Sequence, residues 1–183
     1  MRASTLAAAL VLALASPLAV QAQTAAPAPV TAPAANPADV ATPEALITAI
    51  YDVISGDAGV ARDWDRFRSL FHPAARLIPS GVRPDGTIAA SSLTPEDYVT
   101  RAGPQLERDG FHEIEIASTS ERFGSVVHVF STYEARRSLD DAEPFLRGIN
   151  SFQLMFDGTR WWILTIYWRA EDDSLPIPAE YLP

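Results

Sequence analysis

Apolar residues along this chain change their period once, from about 3.6 to about 2, and the change separates a helical half from a strand half. Thr42-Pro43-Glu44 has the chemistry of a helix start. Threonine accepts hydrogen bonds from free N–H groups, proline suits the first turn, and glutamate complements the positive helix end. Leu46, Ile47, Ile50, Tyr51 and Ile54 follow at helical spacing, and Gly56 ends the run. Trp64, Phe67, Leu70 and Phe71 mark one side of a second, shorter helix, which His72-Pro73 stops. Residues 76–78 read as a short strand, and residues 80–92 as a loop with a turn at Pro84-Asp85-Gly86. A third helix starts at Thr94, with Asp97 at capping-box distance. Gly103-Pro104 is expected to kink or break it, and Gly110 to end it.

Strand periodicity takes over at Phe111. Residues 111–122 and 125–137 flank a Phe123-Gly124 turn. An acidic loop at 140–144 leads to a second pair of strands around Asp157-Gly158. The last strand, 160–169, carries three of the four tryptophans and is largely apolar on both faces, so both faces need cover. That predicts a core on one side and a second copy on the other: a homodimer through the outer sheet face. Residues 175–183 (LPIPAEYLP) are too proline-rich for helix or sheet and read as an extended tail. Leu175, Ile177, Tyr181 and Leu182 are available there for packing. The order of elements predicts an α+β fold, three N-terminal helices on one side of an antiparallel sheet.

The first 41 residues carry neither pattern. Arg2, the apolar run 6–14 (LAAALVLAL) and the small residues Val20 and Ala22 read as a secretory signal over residues 1–22. The run is shorter than the roughly 20 residues of a spanning helix. A periplasmic or secreted location follows as the expectation. Residues 23–41 are rich in Ala, Pro and Thr and read as a disordered linker, leaving 42–183 as the folded domain. The chain has no Cys, which removes disulfides and thiolate metal sites. With a formal charge of −9 and no basic stripe, it is expected to bind neither nucleic acid nor, after signal cleavage, a membrane.

The order of elements with a Trp-rich final strand resembles the nuclear transport factor 2-like superfamily, which includes SnoaL-like and ketosteroid isomerase-like proteins. The resemblance runs over about residues 42–169. It rests on the first helix ending at Ser55-Gly56-Asp57, on RFRSLFHPAARLIPSG (66–81), on SVVHVFSTYE (125–134) and on FDGTRWWI (156–163). It implies a curved sheet wrapped around three helices, a cone with an internal pocket. The isomerase-like branch implies a Tyr on the first helix, which Tyr51 matches. Its two carboxyl positions fall at Pro79 and Phe152, so that chemistry is not expected. The dehydratase-like branch implies pocket histidines with Tyr and Asp partners; His72, His112, His128, Tyr51 and Tyr133 are the residues available for those roles.

Among polar strand residues, His128 is a pocket acid–base candidate or a sheet-bound histidine. Strand alternation puts His128 and Tyr133 on opposite faces. Arg147 is a clamp for a ligand carboxylate, or else a partner of Glu134 or Asp141. Asn150, Gln153 and Trp168 join the ligand-binding candidates. How the last two strands pair depends on their turn. A three-residue loop, 156–158, sets Phe152 opposite Trp162 and gathers Phe152, Leu154, Trp162, Leu164, Ile166 and Trp168 on one face. A two-residue Asp157-Gly158 loop swaps the pairings, and both remain open. His112-Glu113 lacks the spacing of a metal-binding helix, and neither metal nor cofactor is expected. Two functions fit these residues. One is a non-catalytic module that binds a small apolar or amphipathic molecule, or pairs with itself. The other is a cofactor-independent lyase or isomerase using Tyr51, His128 and Tyr133.

Overall fold

The computed structural model describes residues 32–183. The secretory signal expected at 1–22 lies outside them, as does the start of the linker. The nine main elements are α1 (Pro43–Ile54), α2 (Trp64–Ser69), β1 (Phe71–Val82), β2 (Ile88–Ala90), α3 (Pro95–Asp109), β3 (His112–Phe123), β4 (Val126–Arg136), β5 (Leu146–Phe156) and β6 (Trp161–Ala170). Six strands form one sheet in the order β2-β1-β6-β5-β4-β3. The α+β class holds, with one correction: β1 runs parallel to β6, so the sheet is mixed rather than antiparallel throughout.

Each helix starts where its cap allows. Thr42 accepts from the Ala45 N–H at 3.1 Å, and Thr94 and Asp97 form a reciprocal capping box. The buried face of α1 includes Leu46, Ile47, Ile50, Tyr51 and Ile54, as its spacing predicts. α2 is shorter than its apolar pattern, because Phe71 already belongs to β1. β1 in turn is far longer than the three residues read from sequence. Its pairing with β6 is irregular between Phe71 and Arg76, where Pro73 has no N–H to give. α3 runs unbroken through Gly103-Pro104. Gly103 serves contact rather than breakage: a Cβ there would sit 3.1 Å from the Trp64 ring.

Residues 37–41 correct the linker boundary. Pro37–Val40 form a 3-10 turn, Val40 enters the core, and Asp39 pairs with Arg66 at 2.8 Å. One apolar and one charged side chain find partners on the helices, which composition alone does not reveal.

The turn between β5 and β6 follows neither sequence alternative. Phe156 pairs with Trp161, so four residues form the loop. Asp157 holds it, accepting from the N–H groups of Thr159 and Arg160 and from the Trp162 indole. Near the turn Leu154 faces Ile163, but beyond a bulge at Leu164 the partners are Phe152 with Ile166 and Asn150 with Trp168. The bulge turns Trp161, Ile163 and Ile166 to the buried face with Asn150, Phe152 and Leu154. Trp162 and Leu164 are thereby excluded from the face that like-parity pairing assigned them.

The outer face of the sheet is partly covered by the chain's own tail. The Tyr181 ring packs edge-on against Phe130, and its carbonyl accepts from the Thr132 hydroxyl at 2.7 Å. Tyr167 and Val126 remain about half exposed on that face.

Arg62 ties the helix ends together. It is 7 % exposed, and its guanidinium donates to the carbonyls of Ile54 (3.0 Å), Gly56 (2.5 Å) and Leu106 (3.2 Å). These oxygens lie at the ends of α1 and α3, where carbonyls lack helical partners and a cation is favoured. Arg62→Met takes the guanidinium from all three, leaving the Gly56 carbonyl only the Phe111 N–H. Urea denaturation should show a loss of about 3 kcal/mol with an unchanged m-value; a loss under about 1 kcal/mol would mean that water replaces the guanidinium.

Candidate functional site

Between the helices and the inner sheet face lies a cavity of about 430 Å³. Its walls are mostly apolar: Ile50, Ile54, Leu77, Phe152 and Ile166 among others. Against them stands a polar cluster drawn from one helix and three strands. The Asn150 side-chain amide donates to the Tyr51 hydroxyl and to the Glu113 carboxyl, each at 3.0 Å. Tyr51 is 2.7 Å from the Ser131 hydroxyl, and Ser131 donates to Glu115.

The hydrogens in this chain can be assigned. Ser131 commits its hydrogen to the Glu115 carboxylate, and Asn150 supplies hydrogen to the Tyr51 oxygen. The Tyr51 hydrogen therefore goes to Ser131. In this arrangement Tyr51 has none left to offer a ligand. Tyr98 and Tyr133 differ: both line the cavity, no buried side-chain polar atom lacks a partner, and neither of these hydroxyls has a protein partner among the described residues. Both hydroxyls are thus open to the cavity.

Burial pushes the Glu113 carboxyl up to about 7, and only the Asn150 hydrogen bond opposes this. The residue keeps some accessible surface at its edge, but the carboxyl itself sits within the wall. Burial first, then the charge of Glu113, also pushes the Tyr98 and Tyr133 hydroxyls upward, which keeps them protonated donors. Glu113 and Tyr51 also line a second hollow of about 390 Å³, between α1 and β3.

Of the residues singled out by sequence, Tyr51, Tyr133, Asn150 and Trp168 line the cavity. His128, Arg147 and Gln153 do not. His128 and Gln153 are paired neighbours on the outer face, and His128 contacts the Ser151 hydroxyl at 3.0 Å. Arg147 pairs with Glu171 rather than with Glu134 or Asp141. His112 binds Asp57 at 2.9 Å, and the His72 ring accepts from the Ala74 N–H. No histidine reaches the cavity, so the histidine set available to a dehydratase-like site is not assembled there. Among the described residues, no three His, Asp or Glu side chains gather as a metal site.

Glu113, Tyr98, Gln105 and Arg137 are the polar cavity residues that sequence reading missed. In β3 the apolar Ile114 and Ile116 alternate with Glu113 and Glu115, so alternation assigns the glutamates to solvent. The fold does the reverse: Ile114 is 40 % exposed, and Glu113 faces inward beside Phe111. The one usable signal is Phe111, which shares Glu113's parity. Gly148 makes room for Tyr133, since a Cβ there would lie 2.6 Å from the tyrosine hydroxyl.

Glu113 should leave a mark on stability. Its folded pKa of about 7 lies above the ordinary 4.5, so the native state keeps the proton longer than the unfolded chain. Its contribution is complete below about pH 4.5 and is lost as pH rises through 7. Glu113→Gln should match the native protein at pH 4.5 and exceed it at pH 8, by at most about 3 kcal/mol before solvent screening at the mouth. Parallel stability curves for the two proteins across that range would show that the carboxyl is not desolvated.

No protein-family model matches the sequence, and no curated protein matches it either. Solved structures do. A protein of unknown function with a cystatin-like fold, from Nostoc punctiforme, superposes with a TM-score of 0.51 at 14% identity, covering 72% of this chain and 89% of its own. A nuclear transport factor 2-like protein of unknown function from Methylobacillus flagellatus reaches 0.46 at 14% identity, over 72% and 95% of the two chains. Another, from Shewanella baltica, reaches 0.44 at 12% identity, over 72% and 98%. At these identities the likeness concerns fold alone. The chain has the helix-filled, curved-sheet α+β fold of the cystatin-like Nostoc protein.

Proposed function

We propose that the cone binds a small, largely apolar molecule through one oxygen atom. Tyr98 and Tyr133 donate hydrogen bonds to that oxygen, and Glu113 donates or accepts a proton beside it. One observation carries this reading: two unpartnered tyrosine hydroxyls stand with a buried carboxyl in a mostly apolar cavity. Ligand sites of this size are usually apolar with a few convergent polar groups. A panel of cyclic alcohols and ketones, read by thermal shift, tests it. At least one compound should raise the melting temperature. Tyr98→Phe and Tyr133→Phe should each weaken its binding about 5- to 10-fold, as loss of one hydrogen bond implies. Equal binding in the double variant would contradict the reading.

A second reading, a cofactor-independent isomerase or lyase, draws on the Glu113 carboxyl itself. A group half-ionised near neutrality can both take and return a proton, which suits general acid–base chemistry. Isotope exchange at carbon next to the carbonyl of a bound ketone, followed in deuterium oxide, would report it. The rate should rise through about pH 7 and fall about 10²- to 10⁴-fold in Glu113→Gln. Exchange that survives in the Gln variant sinks the catalytic role and leaves the binding role standing.

A further inference from the structure

The cavity wall has a second charged group. Arg137 follows directly on β4 and continues the inward parity of Tyr133 and Ala135. Its guanidinium lies over the Phe145 ring, 4.0 Å from the centroid, and donates one hydrogen bond, to the Gly110 carbonyl at 3.3 Å. No carboxylate pairs with it among the described residues, although acids outnumber bases 23 to 14 in the chain. Six other arginines there do hold carboxylates: Arg66, Arg68, Arg108, Arg136, Arg147 and Arg169. The nearby acid Asp141 is occupied elsewhere, accepting from the backbone N–H groups of Arg137 and Ser138.

In the β3–β4 ladder Glu113 faces Ala135, so Arg137 lies two residues further along the same face. Burial and the Asn150 bond are what set the Glu113 carboxyl, and no cation lowers it. The cavity therefore sets an acid, two tyrosine hydroxyls and a cation among largely apolar walls. The cation is stacked on an aromatic ring. Stacking fixes the plane of the guanidinium, and the edge not turned to Gly110 keeps free N–H groups, the geometry that takes a carboxylate bidentately.

We propose that the cavity's ligand is an apolar monocarboxylate whose carboxylate is held by Arg137, with its hydroxyl or carbonyl oxygen reaching Tyr98 and Tyr133. The inference rests on the binding reading above and adds the ligand's charge and direction. An acidic protein would otherwise repel such an anion, so an unpaired arginine in the cavity wall supplies the attraction that the net charge denies.

Calorimetric titration with decanoate and decanol at pH 7.5 separates the two claims. The native protein should bind decanoate at least 10-fold more tightly than decanol. Arg137→Gln should abolish that preference while leaving decanol affinity unchanged, and Arg137→Lys, which keeps the charge but not the fork, should restore part of it. Equal affinities in the native protein, or a preference that persists in Arg137→Gln, would overturn the role of Arg137 and leave the binding cavity intact. If neither probe binds the native protein, this inference falls, while a cyclic compound that still raises the melting temperature leaves the binding reading standing. Unchanged circular dichroism of the variants confirms that folding is not the cause.

Discussion

Burying a carboxyl group under apolar walls is costly unless its neighbours are arranged for it, and that constraint organises this molecule. Glu113 is met by the Asn150 amide, whose other hydrogen reaches Tyr51. Tyr51 leans on Ser131, and Ser131 on Glu115. The chain of contacts crosses from α1 to β3, β4 and β5, so the polar atoms fix how the first helix sits on the sheet. Apolar packing around Phe67, Phe71 and Phe152 supplies the bulk of the core, but it is non-directional. The hydrogen-bonded chain adds the register that hydrophobic contact lacks.

That register depends on one extra residue in β6. Without the bulge at Leu164, the strand would keep a single parity from Trp161 to Trp168. Trp161 and Ile163 would then face the side opposite Ile166 and Trp168. With it, both halves of β6 turn their large residues inward, and Asn150 is brought opposite Trp168 on the cavity side. The Asp157 turn anchors the near half of the hairpin and the bulge resets the far half. Together they explain how one strand can be apolar on both faces yet contribute only one face to the core.

Much of the fold was legible because local chemistry and global structure agree. Caps at Thr42 and Thr94, the stripe along α1 and the four long strands follow from spacing alone. The long β1 and its parallel pairing with β6 were not legible, since Pro73 and the polar residues around it mimic a loop. The site was half legible. Tyr51, Tyr133, Asn150 and Trp168 were found because aromatic and amide groups in apolar strands stand out. Glu113 was missed because a glutamate alternating with isoleucines has the pattern of a solvent face; a fold that buries the charged parity breaks the rule at its functional-site candidate. Arg147 has the chemistry of a carboxylate clamp in sequence, but so does every arginine. Only tertiary structure shows that Glu171 neutralises Arg147 and that Arg137 stands without an acid.

The account depends most on the state of one carboxyl group. Carbon-13 labelling of glutamate side chains, with Glu113 assigned by comparison with Glu113→Gln, lets its carboxyl be titrated directly by NMR. A midpoint near 7 is predicted, from burial opposed only by the Asn150 bond. A midpoint at the ordinary glutamate value of about 4.5 would mean a hydrated carboxyl, and would contradict the buried acid assigned to this cavity.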